Sequence, residues 1–327
     1  MTILITGGAG YIGGQTVLAL LDRGEIPLVL DDLSTGHRAA VPAEVPLVIG
    51  DVGDTELVLQ LIKQHNVEAI LHFAAKIVVA ESVADPLKYY LSNTVKTRAL
   101  LEAATKGAVR HFVFSSTAAV YGNPDAASIS EDAPPVPLSP YGRSKLMSEQ
   151  MLRDVSAAYG MSYAILRYFN VAGADPAGRH GQSTPNATHL IKVAIETALG
   201  RHSHMNIYGE DYPTADGTCV RDFVHVADLA NAHLAVLDYL QRGGESCILN
   251  CGYGRGYSVR QVVETVRRVA GIAFEARSAE RRPGDPTSVV ANSSRLVRLG
   301  WRPALDDLST IVRHAYEWEI KHSSFFC

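Results

Sequence analysis

The chain opens Met1-Thr2-Ile3-Leu4-Ile5-Thr6-Gly7-Gly8-Ala9-Gly10-Tyr11-Ile12-Gly13-Gly14-Gln15. Residues 3–6 are a short apolar run ending at glycine, the pattern of a buried strand. Residues 15–21 continue with helical periodicity. The order is therefore strand, glycine turn, helix. Gly7, Gly10 and Gly13 let the backbone turn sharply and approach a pyrophosphate, and the helix N-terminus offers N–H groups and a positive dipole end. A glycine motif alone is weak, but a strand before it and a helix after it are the context it requires. The bland alternative is a tight strand–helix turn with no ligand.

Working outward, the same alternation repeats. Residues 27–30 read as a second strand ending in Asp31-Asp32. An acid at that strand end, about 20 residues past the glycines, bonds the adenosine ribose hydroxyls of a dinucleotide and repels a 2′-phosphate, which selects NAD over NADP. Residues 46–49 form a third strand leading to Gly50-Asp51-Val52, and Asp51 either faces the adenine or caps the next helix. Residues 69–73 form a fourth, followed by Ala74-Ala75-Lys76, where the small alanines let the chain pass close to a cofactor and Lys76 is given no role. Asp85-Pro86 opens a helix through Leu101 that carries Asn93, unfavourable in a helix interior unless hydrogen-bonded or solvated. Residues 111–115 form a fifth strand, ending in Ser115-Ser116-Thr117, and residues 163–169 a sixth, ending in Asn170.

This alternation predicts an α/β, Rossmann-type doubly wound parallel sheet with helices on both faces. Ligands of such sheets lie at the strands' carboxyl ends, where the candidates above converge. After Asn170 the alternation breaks. Helices are expected over 189–199, 222–239, 258–270 and 306–321, with strands at 205–208 and 246–251 and a loop over 212–220. Residues 276–290 are polar and basic. The expected division is an NAD-binding domain over 1–170, to which 221–252 returns, and a smaller substrate-binding domain over 171–327.

Ser139-Pro140-Tyr141-Gly142-Arg143-Ser144-Lys145 reads as the first turns of a helix, with Ser139 as cap and Pro140 where its missing N–H costs nothing. Tyr141 and Lys145 share one face. A free tyrosine titrates near ~10, and an ammonium beside it favours the phenolate. A base at neutral pH is thus expected, against the bland reading of two surface residues on an amphipathic helix.

The chain has 327 residues, 47% apolar and 20% charged, with net charge −4. This is a soluble globular composition with no global pull toward nucleic acid or an acidic membrane. Cys219, Cys247, Cys251 and Cys327 contain no C-x-x-C pair, and no metal site is expected. With no signal-like or membrane-spanning run, a reducing cytoplasm is the expected location.

The glycine segment 7–13, Ser115-Ser116-Thr117, Tyr141-x-x-x-Lys145 and Arg167-Tyr168-Phe169-Asn170 together resemble the extended short-chain dehydrogenase/reductases. More narrowly, His72-Phe73-Ala74-Ala75, Asp211-Tyr212-Pro213-Thr214, Asp216-Gly217-Thr218, Val220-Arg221-Asp222, Asn250-Cys251-Gly252 and Arg281-Arg282-Pro283-Gly284-Asp285 resemble the UDP-glucose 4-epimerases, across nearly the whole chain.

The resemblance implies tightly bound NAD and transient oxidation of UDP-glucose or UDP-galactose at the hexose 4-position, with rotation of the 4-keto sugar and hydride return to its opposite face. It implies that Tyr141 takes the hydroxyl proton, with Lys145 and Thr117 assisting. It places Tyr11, Ile12, Ser34, Thr35, Gly36, Val52, Phe73, Asn93, Ser115 and Phe169 at the cofactor. It places Asn170, Arg221 and Arg282 at the diphosphate, Asp285 at the nucleotide ribose and Tyr208 on uracil. His189, Leu190, Asn206, Val259 and Val289 complete the substrate set, although His189 stands where many members carry Asn. It also implies a homodimer through helices near 86–105 and 142–159. A UDP-xylose or UDP-N-acetylglucosamine 4-epimerase is the neighbouring alternative. A nucleotide-sugar 4,6-dehydratase is disfavoured because Ala118 and Ala119, not an acid, follow Thr117. A non-catalytic NAD-binding protein is disfavoured because Tyr141 and Lys145 are both present.

Overall fold

The structure is a computed structural model that describes residues 1–124, 126–184, 188–282 and 285–322. Pro283 and Gly284 of the Arg-Arg-Pro-Gly-Asp motif, and Cys327, lie outside the described residues. The strands are β1 (Thr2–Thr6), β2 (Leu28–Asp31), β3 (Leu47–Ile49), β4 (Val67–His72), β5 (His111–Thr117), β6 (Ser162–Tyr168), β7 (Asn170–Ala172), β8 (Met205–Tyr208), β9 (Val220–His225), β10 (Cys247–Cys251), β11 (Gly256–Ser258), β12 (Ala276–Ala279) and β13 (Ser288–Val289). The helices are α1 (Tyr11–Asp22), α2 (Thr55–His65), α3 (Val79–Ala84), α4 (Pro86–Tyr89), α5 (Lys96–Lys106), α6 (Pro140–Tyr159), α7 (Leu190–Ala198), α8 (Val226–Gln241), α9 (Val259–Ala270), α10 (Ser294–Arg298) and α11 (Leu308–Lys321).

Seven parallel strands form the main sheet in the order β10-β6-β5-β4-β1-β2-β3. Its inner strands are apolar on both faces because helices cover both. Ile3, Ile5, Val29, Leu71 and Val113 pack with α1 and α8 on one side. Leu4, Leu30, Ile70, Phe112 and Phe114 pack with α2, α5 and α6 on the other. The order reverses between β1 and β4, the switch point at which such sheets bind ligands.

A second core joins α7, α9 and α11 around Ile195, Val262, Val266 and Ile311. Two small sheets lie beside it, one built on β9 with β7, β11 and β13, the other pairing β8 with β12. The helix expected from Asp222 begins at Val226 instead, because residues 220–225 pair as β9 with β7, β11 and β13. Residues 276–290, read only as polar and basic, contain β12 and β13. The return to the main sheet is made by α8, packed on α1, and by β10, paired with β6.

The helix expected from Asp85 through Leu101 is interrupted. Between α4 and α5, Tyr90–Val95 forms a π turn. Such a turn loosens the backbone ladder and marks functional positions. Here the Asn93 carbonyl accepts from both Thr97 Oγ1 (2.6 Å) and Ser148 Oγ (2.7 Å), which compensates the loosened ladder.

Candidate active site

The glycine turn is built as its sequence suggested. Gly7 has φ +73°, and a Cβ there would fall 2.6 Å from the Ala74 nitrogen, while one at Gly13 would fall 2.2 Å from the Gly7 carbonyl oxygen. Gly10 differs, since an added Cβ would meet only the Gly7 oxygen at 3.3 Å. Gly10 is also the N-cap of α1 and provides no side-chain bond, so the first-turn amides remain open. A bare helix N-terminus at the strands' carboxyl edge, with a glycine that local packing barely requires, fits a pyrophosphate.

Asp31 is buried at the end of β2. It accepts from Ala9 N (2.9 Å) and Leu33 N (2.8 Å), tying the glycine turn to the next strand. Each oxygen keeps acceptor capacity for a ribose hydroxyl. Asp32 is exposed and turns the loop through Ser34 N. That loop carries Ser34, Thr35 and Gly36 back onto the glycine turn, and a Cβ at Gly36 would lie 2.8 Å from Ala9. Asp51 is not the cap of α2, because Asp54 caps it. Asp51 bonds Gly53 N (2.8 Å) and Lys96 Nζ (2.6 Å) beside buried Val52. Tyr11 reaches across to the Gly173 carbonyl at 2.6 Å, with Ile12 in the adjoining core.

Asn93 is buried and fully bonded. Its Oδ1 accepts from Lys76 N, and its Nδ2 donates to the Lys76 carbonyl and to Ser144 Oγ. It therefore holds the segment after Phe73, Ala74 and Ala75 against α6. Lys76, whose role the sequence left open, reaches Ser34 Oγ at 3.2 Å, bridging the loops after β2 and β4.

Ser139 caps α6 through Gly142 N (3.2 Å), and Pro140 occupies its first turn. Tyr141 and Lys145 are both buried on this helix. The Lys145 ammonium donates to the Ser115 carbonyl (2.8 Å) and lies 4.8 Å from the Phe114 ring centroid. Thr117 caps the turn after β5 through Ala119 N (3.1 Å), and its side chain acts on the Tyr141 phenol to lower its pKa. Without a bound cofactor the phenol is not acidified. Burial pushes Tyr141 up to about 12, only partly opposed by Thr117. Burial pushes Lys145 down to about 7, with Glu149 opposing. In the protein alone, desolvation is the largest influence on both groups.

Around this pair lie groups the sequence reading missed. Glu149, one turn beyond Lys145, is buried against Arg167 (2.6 Å) and accepts from Ser116 Oγ. His233 on α8 donates from Nδ1 to the Leu229 carbonyl, so its Nε2 accepts from Ser115 Oγ at 3.0 Å, and its ring lies 4.7 Å from that of Phe73. His72 donates from Nε2 to Thr97 Oγ1, whose own proton goes to Asn93, and its Nδ1 accepts from Thr6. A polar residue alternating with apolar ones in a buried helix or strand was the available signal.

The substrate candidates form two groups. Arg221 on β9 pairs with Asp285 (3.2 Å), and Val289 lies opposite it across β13. Val259 is adjacent, its nitrogen on the Cys219 carbonyl, and exposed Asn170 lies beside Phe223 in the same sheet. In the second group Arg282 lies 3.8 Å from the ring centroid of Tyr208, which shares β8 with Asn206. Phe169 is buried with Ala118 and Tyr121, against which Val289 packs. His189 instead bonds Gln182, and Leu190 packs into the second core, so no described contact joins them to either group.

Comparison with known proteins agrees with this geometry. A model of the NAD dependent epimerase/dehydratase family matches residues 3–252. The chain belongs to that family. It is 56% identical to a UDP-glucose 4-epimerase of Azospirillum brasilense over 97% of this chain and 91% of the relative. Among solved structures it is similar to the Brucella ovis UDP-glucose 4-epimerase in complex with NAD, with TM-score 0.94, 41% identity and 97% of each chain covered. It is similar also to the UDP-Glc/GlcNAc 4-epimerase of Campylobacter jejuni, with TM-score 0.87, 46% identity and 98% and 99% covered. Among the described residues there is no metal-holding cluster and no helix long and apolar enough to cross a membrane.

Proposed function

We propose that this chain interconverts UDP-glucose and UDP-galactose, with Tyr141 as the acid–base group. The observation that carries the reading is the meeting of Tyr141, Thr117 and Lys145 at the same sheet edge as the glycine turn and Asp31. NAD, when bound, supplies the hydride acceptor and a positive charge. Gly10, Asp31, Asp51 and Lys145 would hold it. Tyr141 removes the proton from the sugar 4-hydroxyl and returns one on the reverse step. Thr117 orients the phenol, and Lys145 stabilises the phenolate. Arg221 and Arg282 take the diphosphate oxygens, for which guanidinium forks are suited. Elimination of water, as in a dehydratase, would need a carboxylate where Ala118 and Ala119 stand. The test is incubation of purified protein with UDP-galactose, UDP-xylose and the N-acetylhexosamine counterparts without added NAD, followed by NMR. Conversion of UDP-galactose is expected; no conversion with bound NAD verified would refute the assignment.

Substrate breadth has its own indicator. Val289 lies opposite Arg221 and packs toward Phe169, and it is smaller than a tyrosine. This supports tolerance of an N-acetyl group, on the scale of ~1–3 kcal/mol for a small group in an apolar pocket. Val289→Tyr is expected to lower the specificity constant for UDP-N-acetyl sugars relative to UDP-galactose. An unchanged ratio removes Val289 as the gate.

A homodimer is supported by one exposed apolar face. Val83, Leu87, Leu91, Val95 and Met147 lie on α3, α4, the π turn and α6, and Leu87 is 76% exposed. Sedimentation at micromolar concentration should give a dimer. Unpaired Cys219, Cys247 and Cys251 suit a reducing cytoplasm.

A further inference from the structure

Tyr212 stands in the Asp-Tyr-Pro-Thr segment, which the reading above leaves without a role. Its side chain is 5% exposed, and its hydroxyl has no hydrogen-bond partner among the described residues. Tyr O–H usually finds a partner when buried, and a buried orphan in a native structure requires a reason. Packing does not leave the ring free to seek a partner. One face is covered by the Arg281 guanidinium, 4.0 Å from the ring centroid, and Arg281 is itself held by the Asp211 carboxylate (2.6 Å) and carbonyl (2.5 Å). The ring edge lies against Gly209, at φ +83°, where an added Cβ would fall 2.6 Å from the tyrosine Cε2. The Tyr212 amide is tied to the Gly217 carbonyl at 2.9 Å. The phenol is therefore fixed in place with its one polar group unspent.

Its surroundings indicate what it awaits. The charges that act on it are those of Asp285, Arg281 and Arg221, with Cys219 beside them, and burial raises its pKa, so it is a neutral donor. Arg221 and Asp285 form the pair assigned above to the diphosphate and the nucleotide ribose.

We propose that the Tyr212 hydroxyl donates a hydrogen bond to an oxygen of the uridine diphosphate half of the substrate, a contact that rests on the reading of the site given above. A phenol clamped before the ligand arrives loses little freedom on binding, so the contact contributes to affinity rather than to the chemical step. The hydroxyl is spent on the nucleotide and not on the sugar.

The experiment is calorimetric titration of the NAD-loaded protein with UDP alone, on wild type and Tyr212→Phe. The variant should bind UDP about tenfold more weakly, as expected for a lost bond to a charged acceptor. Its KM for UDP-galactose should rise by a similar factor with kcat and NAD content unchanged, and its Tm should not fall, since the removed group has no partner in the empty site. Equal UDP affinity in the two proteins overturns the proposal. Weaker binding accompanied by a Tm several degrees lower also overturns it, because the hydroxyl is then structural. Wild-type protein that binds no UDP overturns the reading of the site together with this inference, which separates the two failures.

Discussion

Two arginine–carboxylate pairs mark the two halves of this site, and they differ in every physical respect. Glu149–Arg167 lies beneath the tyrosine and lysine, with side chains 2% and 4% exposed and three hydrogen bonds between them. Ser116 also donates to the carboxylate, and the Tyr121 ring covers the guanidinium at 4.9 Å. Arg221–Asp285 lies in the half proposed for the nucleotide, with side chains 13% and 32% exposed and one described bond of 3.2 Å. The first pair is walled in and saturated, and its work is to hold a charge pattern around Lys145. The second is open and under-bonded, as groups must be if they are to exchange each other for a ligand. On the function proposed above, the redox half is preorganised, and the half proposed for the nucleotide is paired with itself until a nucleotide competes.

The largest effect should follow from breaking the buried pair. Glu149→Gln leaves Arg167 charged and uncompensated, a change that typically costs ~3–5 kcal/mol. A urea denaturation midpoint within error of wild type would show that the pair is not structural and would erase the contrast. Next comes the chemistry that the pair surrounds. Tyr141→Phe should preserve fold and bound NAD while lowering turnover by ~10² or more, the scale of a positioned acid–base group. Near-normal turnover would end the assignment of Tyr141.

The same contrast sets what could be read from sequence. The sheet, the glycine turn and the α6 start were legible because each rests on local rules, namely apolar runs, glycine geometry and a Ser-Pro cap. The acids at strand ends were legible because a parallel sheet brings strand ends together. Glu149, Arg167, His72 and His233 were not, since what distinguishes them is burial, decided by elements far apart in the chain. Local charge rules would place Glu149 beside Lys145 on a solvated helix face, but the third partner, Arg167, comes from β6. The desolvation of Tyr141 and Lys145 was hidden for the same reason: spacing reveals a neighbour and not how deeply it is buried. Residues 222–225 of β9 were taken for helix because they run directly into α8.

A third effect is acid sensitivity centred on the buried half. His72 is held down to about 3, His225 to about 3 and His233 to about 4, in each case chiefly by burial. Each uses one ring nitrogen as an acceptor, from Thr6, Ala227 and Ser115 respectively, and protonation removes that bond. The folded values lie below the unfolded value near 6.5, so below pH 6.5 the unfolded chain binds more protons than the native one. Stability is therefore retained above 6.5 and lost as pH falls toward 4, by up to ~1.4 kcal/mol per pH unit for each histidine. Asp222, raised to about 6 by burial, acts in the opposite sense over its own window and softens the slope. Thermal melts of the NAD-loaded protein from pH 7 to 5 should show the decline, and a flat profile would contradict it.

The smallest effect on stability should come from the open pair, and that smallness is informative. Asp285→Asn removes one charge from a partly exposed pair, for which ~0–1 kcal/mol is usual. It leaves Arg221 with its bond to the Val220 carbonyl and with access to solvent. The melting temperature should hardly move, while the KM for UDP-galactose rises, because Asp285 is needed only when the nucleotide is present. Salt separates the cases further: the Arg221–Asp285 attraction is screened at high ionic strength, whereas Glu149–Arg167 is shielded from it. If Asp285→Asn destabilised the protein as much as Glu149→Gln, the nucleotide half would be structurally committed too. Its self-pairing would then be a fixed feature of the fold rather than one that a ligand displaces.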